Sequence, residues 1–249
     1  PSYLNKYILI KDMITLIKSS FIDYKLTILR NKKTPNSLFR QTMNEISYLI
    51  AGEVLKVYKY NKITIETPIC KTKGVNIREK IIIVPILRAG LGLIEGFVKF
   101  LPNVEKGHIG LYRNEQTYQP VEYLCKLPRV SNKQIIVLDP MLATGNSSSA
   151  AIDLVKKKGV KISNIKLVSL LASPEGLKNL RKKQRGLHIF TCSIDKRLNK
   201  NKFIVPGLGD AGDRYMGTWS FSLKNLLFIH YLIFKLILFY YKNVINETS

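Results

Sequence analysis

The residues with the clearest capacity for chemistry lie in the segment IIVLDPMLATGNSS, residues 135–148. Its apolar run, Ile135–Leu138, predicts a buried strand that ends at an acidic residue, Asp139. A loop of small residues and a group of serines follow, before a predicted helix over Ala150–Lys158. Free N–H groups at a helix N-terminus bind phosphate, and a carboxylate at a strand end can hold a ribose diol. The segment therefore predicts a phosphorylated-sugar site at the C-terminal edge of a parallel sheet.

The same loop has a second interpretation, in which Thr144 and the serines only cap the helix. No Gly-Lys-Ser/Thr sequence follows Gly145, so the loop is not a Walker motif, and it is not a dinucleotide fingerprint either. The loop residues by themselves leave phosphate binding and simple capping open.

A second strand and turn of similar design precedes this segment. Ile81–Val84 predicts a buried strand, which leads through the sequence PILRAGLG, residues 85–92, into a predicted helix over Leu93–Phe100. Arg88 lies in the turn, where a guanidinium can bind phosphate through two hydrogen bonds or can simply remain solvated.

Two later stretches have the composition of ligand-facing loops. Gly107–Pro120 contains a predicted strand, Ile109–Tyr112, and then a polar loop that is a candidate lid. Phe203–Thr218 is glycine-rich, which lets a backbone approach a flat ligand closely. Backbone N–H and C=O groups there could match the acceptor, donor and acceptor of a pyrimidine edge, although the stretch is also consistent with a turn-rich linker.

The remaining pattern indicates the elements that must position these loops. Apolar residues at helical spacing follow Leu38, Ile63–Pro68 predicts an extended edge segment, and Lys71–Gly74 predicts a turn. Lys166–Ala172 and Leu187–Ile194 predict further buried strands. Strands that alternate with helices favour an α/β fold with a parallel, doubly wound sheet.

Composition sets outer limits on function. The chain of 249 residues suits one α/β domain with additions, and its formal net charge of +23 attracts polyanions. The lysines are scattered rather than clustered, which favours a compositional origin of this charge over nucleic-acid binding. Cys70, Cys125 and Cys192 have no paired spacing, so they predict neither a zinc motif nor a disulfide framework, and they suit a reducing compartment.

Four segments, in order along the chain, resemble the uracil phosphoribosyltransferase family. They are Lys25–Gln41, PILRAGLG at residues 85–92, DPMLATGNS at residues 139–147 and PGLGDAGDR at residues 206–214. The resemblance runs from about Phe21 to Thr218 and implies a type I phosphoribosyltransferase fold, in which helices flank a parallel twisted sheet with a small hood. It also implies pyrimidine salvage, in which uracil and 5-phosphoribosyl 1-diphosphate (PRPP) give UMP and diphosphate, with Mg²⁺ carried mainly by the diphosphate rather than by a protein metal site.

The resemblance assigns roles to individual residues. It implies catalytic roles for Asp210 and Arg113, and Asp210 is the nearest candidate for a general base. The PRPP-binding residues that it implies are Arg88, Arg113, Asp139, Pro140, Met141, Leu142, Ala143, Thr144, Gly145, Asn146, Ser147 and Asp210. The uracil-binding residues that it implies are Ile204, Gly209, Asp210 and Ala211.

Two positions depart from the family pattern. Asn146 stands where a second glycine is usual, and Met216 stands where an aromatic residue is usual. Because Asn tolerates a left-handed backbone, we expect the loop to survive, either with or without some loss of phosphate affinity.

The chain divides by pattern into a leader (residues 1–20), a phosphoribosyltransferase domain (21–219) and an apolar C-terminal extension (220–249). Lys224, Lys235 and Lys242 fall on one helical stripe of the extension. A helix there could pack against the domain or a partner subunit, lie on a membrane surface over residues 223–242, or span a membrane, and disorder is the remaining alternative.

The resemblance also bears on partners and compartment. It implies a homodimer or a larger homo-oligomer, and GTP control occurs in some members, although no GTP motif is legible here. The predicted location is the cytoplasm, or the plastid stroma if the gene is organelle-encoded. The alternative function is a catalytically weak or inactive RNA-binding regulator of pyrimidine genes, although the complete set of ligand-facing motifs argues against a nucleic-acid partner.

Overall fold

The structure is a computed structural model that describes residues 8–9, 13–114 and 119–218. The strands are β1 (Ile8–Leu9), β2 (Ile14–Leu16), β3 (Tyr60–Glu66), β4 (Lys71–Ile77), β5 (Ile81–Leu87), β6 (Glu105–Lys106), β7 (His108–Arg113), β8 (Pro120–Lys126), β9 (Gln134–Leu138), β10 (Met141–Leu142), β11 (Ile165–Ala172), β12 (His188–Ile194), β13 (Arg197–Leu198) and β14 (Ile204–Val205). The helices are α1 (Ser20–Arg30), α2 (Asn36–Leu55), α3 (Ile94–Phe100), α4 (Asn146–Lys157), α5 (Pro174–Lys183) and α6 (Ala211–Met216), with 3₁₀ turns at Ala89–Leu93 and Ile162–Asn164.

One large sheet organises the domain. Its strand order is β1-β2-β12-β11-β9-β5-β7-β8, and the two short strands β10 and β6 pair with β11 and β5. The neighbours from β2 to β7 are parallel, whereas β1 and β8 add antiparallel edges. The predicted α/β fold with a mostly parallel sheet and flanking helices is therefore confirmed. Because β7, β5, β9 and β11 run in one direction, the loops after them open on the same edge.

The apolar strands bury both of their faces, which explains their uninterrupted hydrophobic runs. In β5, Ile81 and Ile83 belong to a core shared with α1, α2 and α3, whereas Ile82 and Val84 belong to a core shared with α4 and α5. The side chains alternate because successive residues of a strand point to opposite faces.

Two regions differ from the sequence interpretation. The predicted turn at Lys71–Gly74 is wrong, because these residues begin β4, which pairs antiparallel with β3, and the turn lies instead between Thr67 and Cys70. Both strands of this hairpin are largely exposed, so they lack the apolar alternation that marks a half-buried strand. Ile14–Leu16, which the sequence interpretation assigned to the leader, forms β2, which pairs parallel with β12 and lies next to the edge strand β1.

Several predictions fall outside the described residues. These are the start of the leader, the centre of the polar loop at residues 115–118, and the apolar extension after residue 218. The hood and the helical extension stay predictions. Within the described ranges, no helix combines the length and the apolar character that crossing a membrane requires.

Candidate functional site

The sequence motifs converge at the C-terminal edge of the sheet. A Cβ added to Gly90, in the turn after β5, would lie 2.5 Å from the carbonyl oxygen of Leu138, the last residue of β9. A Cβ added to Gly212 would lie 3.8 Å from the Cβ of Ala89 in the same turn. The turn that carries Arg88 therefore touches both the start of the 139–148 segment and the glycine-rich loop.

Asp139 lies half-buried just beyond β9. Its Oδ2 accepts a hydrogen bond from the Ser148 hydroxyl at 2.6 Å, and its Oδ1 accepts a long one from the Met141 N–H at 3.4 Å. Burial raises the pKa of the Asp139 carboxyl above its ordinary value, although these two donors act in the opposite direction. Burial therefore disfavours the charged form of this carboxyl, and the Ser148 and Met141 donors offset part of that cost.

The loop after Asp139 is fixed by backbone contacts to the start of α5. A Cβ on Gly176 would lie only 2.2 Å from the carbonyl oxygen of Ala143, so the two backbones meet without room for a side chain. The Ser173 hydroxyl donates to the Ala143 carbonyl at 2.6 Å, and the Asn179 amide donates to the Thr144 carbonyl at 2.7 Å. These neutral bonds orient the loop and turn its carbonyl groups away from any ligand at the helix end.

The first turn of α4 follows this loop. Its N-cap is Gly145, which has φ +76° and no side chain to cap the helix. Ser148 donates to Asp139, and Ser149 accepts from the Gln184 amide, so neither serine caps α4. The capping interpretation therefore fails for these two serines. Thr144 accepts a long bond of 3.4 Å from the Asn146 N–H.

A cavity of about 140 Å³ opens at this helix end. Its lining residues are Pro120, Asp139, Met141, Ala143, Thr144, Gly145, Asn146, Ser147, Ser148 and Lys202. Among the residues of the predicted PRPP set whose side chains the structure describes, Arg88, Pro140, Leu142 and Asp210 do not line it. Pro140 is buried and accepts two N–H groups of β11, and the Leu142 side chain belongs to the core. Ser147 is exposed at the cavity, whereas the Ser148 hydroxyl is already engaged by Asp139.

Asn146 does not use the left-handed backbone that we expected there. Among residues 139–148, all of which the structure describes, positive φ occurs at Gly145 instead. The Asn146 side chain has a separate function: its Oδ1 accepts hydrogen bonds from the Asn179 amide at 2.9 Å and from the Lys183 ammonium at 3.0 Å. It ties the start of α4 to α5.

Arg88 and Asp210 lie outside the lining of this cavity, and both contact Asp213. The Arg88 guanidinium is half-exposed and pairs with Asp213 at 3.0 Å. Asp210 is exposed, and its Oδ1 accepts the N–H of Asp213 at 2.9 Å, which caps the first turn of α6. Asp210 therefore has a local structural role in addition to any role toward a ligand.

The glycine-rich loop joins β14 to α6. Ile204 and Ala211 are buried, whereas Gly209 is exposed and adopts φ +82°. Upstream of Gly209, the loop is held by Arg30, Asp195 and Arg214, three charged residues that sequence reasoning did not single out. Arg30 and Arg214 lie within segments that resemble the family, but the sequence assigned no role to their side chains. The contacts of Arg30 with Asp195 and of Arg214 with Leu29 join residues 165 and 185 positions apart.

Arg113 ends β7, and its backbone pairs with Pro120, which lines the cavity. This places the start of the polar loop beside the cavity at the N-terminus of α4. The Arg113 side chain and residues 115–118 lie outside the described residues. Lys202 and Pro120 also line the cavity. Pro120 ends the stretch predicted to contain a lid, whereas the sequence offered no signal for Lys202. Among the described residues, no cluster of three or more His, Cys, Asp or Glu side chains could hold a metal ion.

Comparison with known proteins shows which family the chain resembles over most of its length. The sequence profile of the family described as "Uracil phosphoribosyltransferase" matches residues 16–218. The uracil phosphoribosyltransferase of Finegoldia magna is 50% identical over 207 residues, which cover 82% of this chain and 98% of the relative. That of Streptococcus thermophilus is 48% identical over 205 residues, which cover 82% and 97%. Among solved structures, the AQ2163 protein from Aquifex aeolicus superposes with a TM-score of 0.77 at 35% identity, covering 81% of this chain and 97% of that one.

Proposed function

The chain belongs to the uracil phosphoribosyltransferase family, and we propose that it carries out that family's reaction at the edge of the sheet described above. The reaction converts uracil and PRPP to UMP and diphosphate, so the enzyme is a pentosyltransferase of pyrimidine salvage. The observation that supports this assignment is that the 139–148 segment lines a cavity at the N-terminus of α4, while the turn that carries Arg88 touches both the strand end before this segment and Gly212.

The 139–148 segment is the proposed PRPP side of the site. The open N-terminus of α4, with the Thr144 and Ser147 hydroxyls at the cavity, suits the 5′-phosphate because N–H groups and the helix dipole both favour negative charge. The Asp139 carboxylate, beside the same cavity, suits the ribose hydroxyls. Arg88 and Arg113 are the proposed partners of the diphosphate, where two-pronged guanidinium hydrogen bonds are strong.

The glycine-rich loop is the proposed base side. Ile204, Gly209, Asp210 and Ala211 would contact uracil, largely through backbone groups that match its edge. A loop of glycine and alanine leaves room for a flat ring, and its fixed backbone dipoles distinguish a pyrimidine edge from a different donor and acceptor pattern.

In the reaction, the bond from ribose C1 to the diphosphate oxygen breaks, and a bond from C1 to uracil N1 forms. Positive charge develops on the sugar, and the N1 proton leaves. The protein mainly positions the two reactants and complements these charges. Asp210 is the proposed acceptor of the proton, and its place at the start of α6 keeps its carboxylate at the loop.

Mg²⁺ suits this site as an ion bound chiefly by the oxygens of the diphosphate rather than by protein carboxylates. When bound, it would neutralise part of the leaving-group charge. Assembly as a homo-oligomer, GTP control and a cytoplasmic or plastid location stay predictions.

The direct test is product analysis with PRPP, Mg²⁺ and, separately, uracil, cytosine, hypoxanthine and adenine. We expect UMP from uracil and no nucleotide from the other bases. Nucleotide formation from a purine, or none from uracil, would overturn the assignment.

The role of Asp210 can be tested with two variants. We expect Asp210→Ala to lower kcat for UMP formation by about 100-fold or more, which is the usual scale for losing a proton acceptor. Asp210→Asn is the matched control for helix capping, because an Asn oxygen can still accept the Asp213 N–H. Near-normal turnover by Asp210→Asn would show that the negative charge is not needed.

A further inference from the structure

We propose that Arg30 and Asp195 form a positioning pair that fixes the base-binding loop at Gly207 and thereby sets the affinity for uracil. This inference rests on the proposed function, because it assigns the glycine-rich loop to the base. Neither residue lies in the loop: Arg30 is the last residue of α1, and Asp195 directly follows β12.

The pair forms hydrogen bonds with both backbone groups of Gly207, the N–H and the carbonyl. Arg30 makes a two-pronged ion pair with Asp195, with N–O distances of 2.7 and 2.6 Å. The Gly207 N–H donates to Asp195 Oδ2 at 2.8 Å, and the Gly207 carbonyl accepts from Arg30 Nη1 at 2.9 Å. One ion pair therefore closes a ring of hydrogen bonds around a single peptide segment. The Ser193 hydroxyl adds a further bond to Asp195 Oδ1 at 2.9 Å.

The backbone at Gly207 has little freedom of its own. Gly207 adopts φ +60°, and a Cβ there would lie 2.2 Å from the carbonyl oxygen of Ile204. The following carbonyl, at Leu208, accepts from the buried Arg214 guanidinium at 2.7 Å. Both backbone groups of Gly207 and the carbonyl of Leu208 are therefore engaged by charged side chains, whereas Gly209, the next residue, is exposed.

The burial and the charges of the two side chains favour an ion pair with one fixed geometry. The Asp195 side chain is only 3% exposed and that of Arg30 is 25% exposed. Burial on its own would raise the pKa of Asp195, but the Arg30 guanidinium and the Gly207 and Ser193 donors hold the pKa below its ordinary value. A two-pronged ion pair with a buried carboxylate has one favourable arrangement, so it fixes the loop in one position.

The contacts separate this pair from the PRPP side. The side-chain partners of Arg30 and Asp195 are each other, Ser193 and Gly207, and none of them lines the cavity at α4. The Asp195 backbone N–H donates to the Ala172 carbonyl at the end of β11. A displaced Gly207 would shift Gly209 and Asp210, which lie two and three residues further along the chain. A misplacement of about 1 Å in a reactant can cost about 100-fold in rate.

The test is the steady-state kinetics of UMP formation by Asp195→Asn, which keeps the shape of the side chain and removes its charge. We expect the KM for uracil to rise about 10-fold or more, while the KM for PRPP stays within about twofold of the wild type. Arg30→Lys should raise the KM for uracil in the same direction, because an ammonium cannot replace the two-pronged contact.

The matched control is Glu45→Gln, which breaks another ion pair of helix α1. Lys25 and Glu45 lie 2.6 Å apart and do not touch the loop. This variant should leave the KM for uracil unchanged, even if the protein becomes less stable. If Asp195→Asn does not fold, Ser193→Ala removes one bond from the same carboxylate and should raise the KM for uracil about two- to threefold.

Two results would overturn the proposal. One is a KM for uracil that stays at the wild-type value in Asp195→Asn and Arg30→Lys, and the other is an equal rise in the KM values for uracil and PRPP. Both are distinct from failure of the proposed function, in which the wild-type protein itself would form no UMP.

Discussion

The two loops that form the site are held in place by different kinds of interaction. The loop after β9 is fixed by neutral contacts, in which the Gly145 and Ala143 backbones pack against Gly176 and the Ser173 and Asn179 side chains hold carbonyl groups. The glycine-rich loop is fixed by charged side chains, chiefly Arg30, Asp195 and Arg214. The charges that hold the second loop are satisfied within the protein.

The difference corresponds to the ligands that we assign to each loop. PRPP brings its own negative charge, so a loop that leaves helix N–H groups open gains its electrostatic energy from the ligand. Uracil is neutral and planar, so it is recognised by the positions of backbone dipoles, which must be fixed before it arrives. The Asp carboxyls reflect the same contrast, because the pKa of Asp139 is raised mainly by burial and that of Asp195 is lowered by its partners.

The largest expected effect comes from a substitution at Gly176, which packs against the loop after β9. Gly176→Ala would place a Cβ 2.2 Å from the Ala143 carbonyl oxygen and 2.8 Å from that of Leu142, so the loop after β9 must move. We expect PRPP affinity to fall by about 100-fold or more, since an error of about 1 Å is costly in an oriented site. Isothermal titration of PRPP with Mg²⁺ measures this directly.

Gly52→Ala is the matched control for that variant. Gly52 is also a helical glycine, but a Cβ there would meet nothing within 4 Å. Alanine should stabilise helix α2 by about 0.5–1 kcal/mol and leave PRPP binding unchanged. Equal PRPP binding by the two alanine variants would show that the contact between Gly176 and the loop is not needed.

A smaller effect is expected from Asp139→Asn, which removes the charge and keeps the shape. Loss of a charge-assisted hydrogen bond to the ribose should lower kcat/KM by about 10- to 100-fold. Because burial raises the folded-state pKa, the ionised carboxylate costs stability above that pKa, and the cost disappears as the pH falls below the unfolded value, about 3.9. The variant should therefore have a higher Tm than the wild type at pH 7, and this advantage should shrink toward pH 4.

Thermal unfolding scans at both pH values, together with the UMP assay, test this prediction. A variant that is less stable than the wild type at pH 7 would show that the Asp139 contacts to Ser148 and Met141 outweigh its burial. Unchanged activity in the UMP assay would show that Asp139 does not bind the ribose.

The smallest expected effect is at Asn146. Asn146→Ala removes the acceptor for the Asn179 amide and the Lys183 ammonium, so the free energy of unfolding should fall by about 0.5–1.5 kcal/mol. Because these bonds join two helices rather than a ligand, the KM for PRPP should change by less than about fivefold. Denaturant unfolding measures the change in stability, and steady-state kinetics measure the KM for PRPP. A rise above 10-fold in that KM would assign Asn146 to the phosphate.

The sequence predicted the ligand-facing segments better than the residues that hold these segments in place. Ile135–Leu138 and Ile81–Val84 are recognisable because strands buried on both faces are continuously apolar, and the turns after them follow from that assignment. The β3–β4 hairpin was missed in part because it buries little, so its residues carry no apolar alternation.

The supporting residues could not be predicted for a different reason. Arg30 and Asp195 are 165 positions apart, and each looks locally like a solvated charge at the end of an element. Asn179 and Lys183 lie on the polar side of α5, and only the packing of α5 against the phosphate loop gives them partners. Such contacts depend on the tertiary arrangement, which no local spacing encodes.

The most direct test of the division between the two loops is PRPP binding measured by titration calorimetry on Asp195→Asn and Gly176→Ala side by side. The account predicts that Asp195→Asn binds PRPP with Mg²⁺ within about twofold of the wild type, whereas Gly176→Ala loses about 100-fold or more. Equal losses in both variants, or a loss in Asp195→Asn with normal binding in Gly176→Ala, would contradict it.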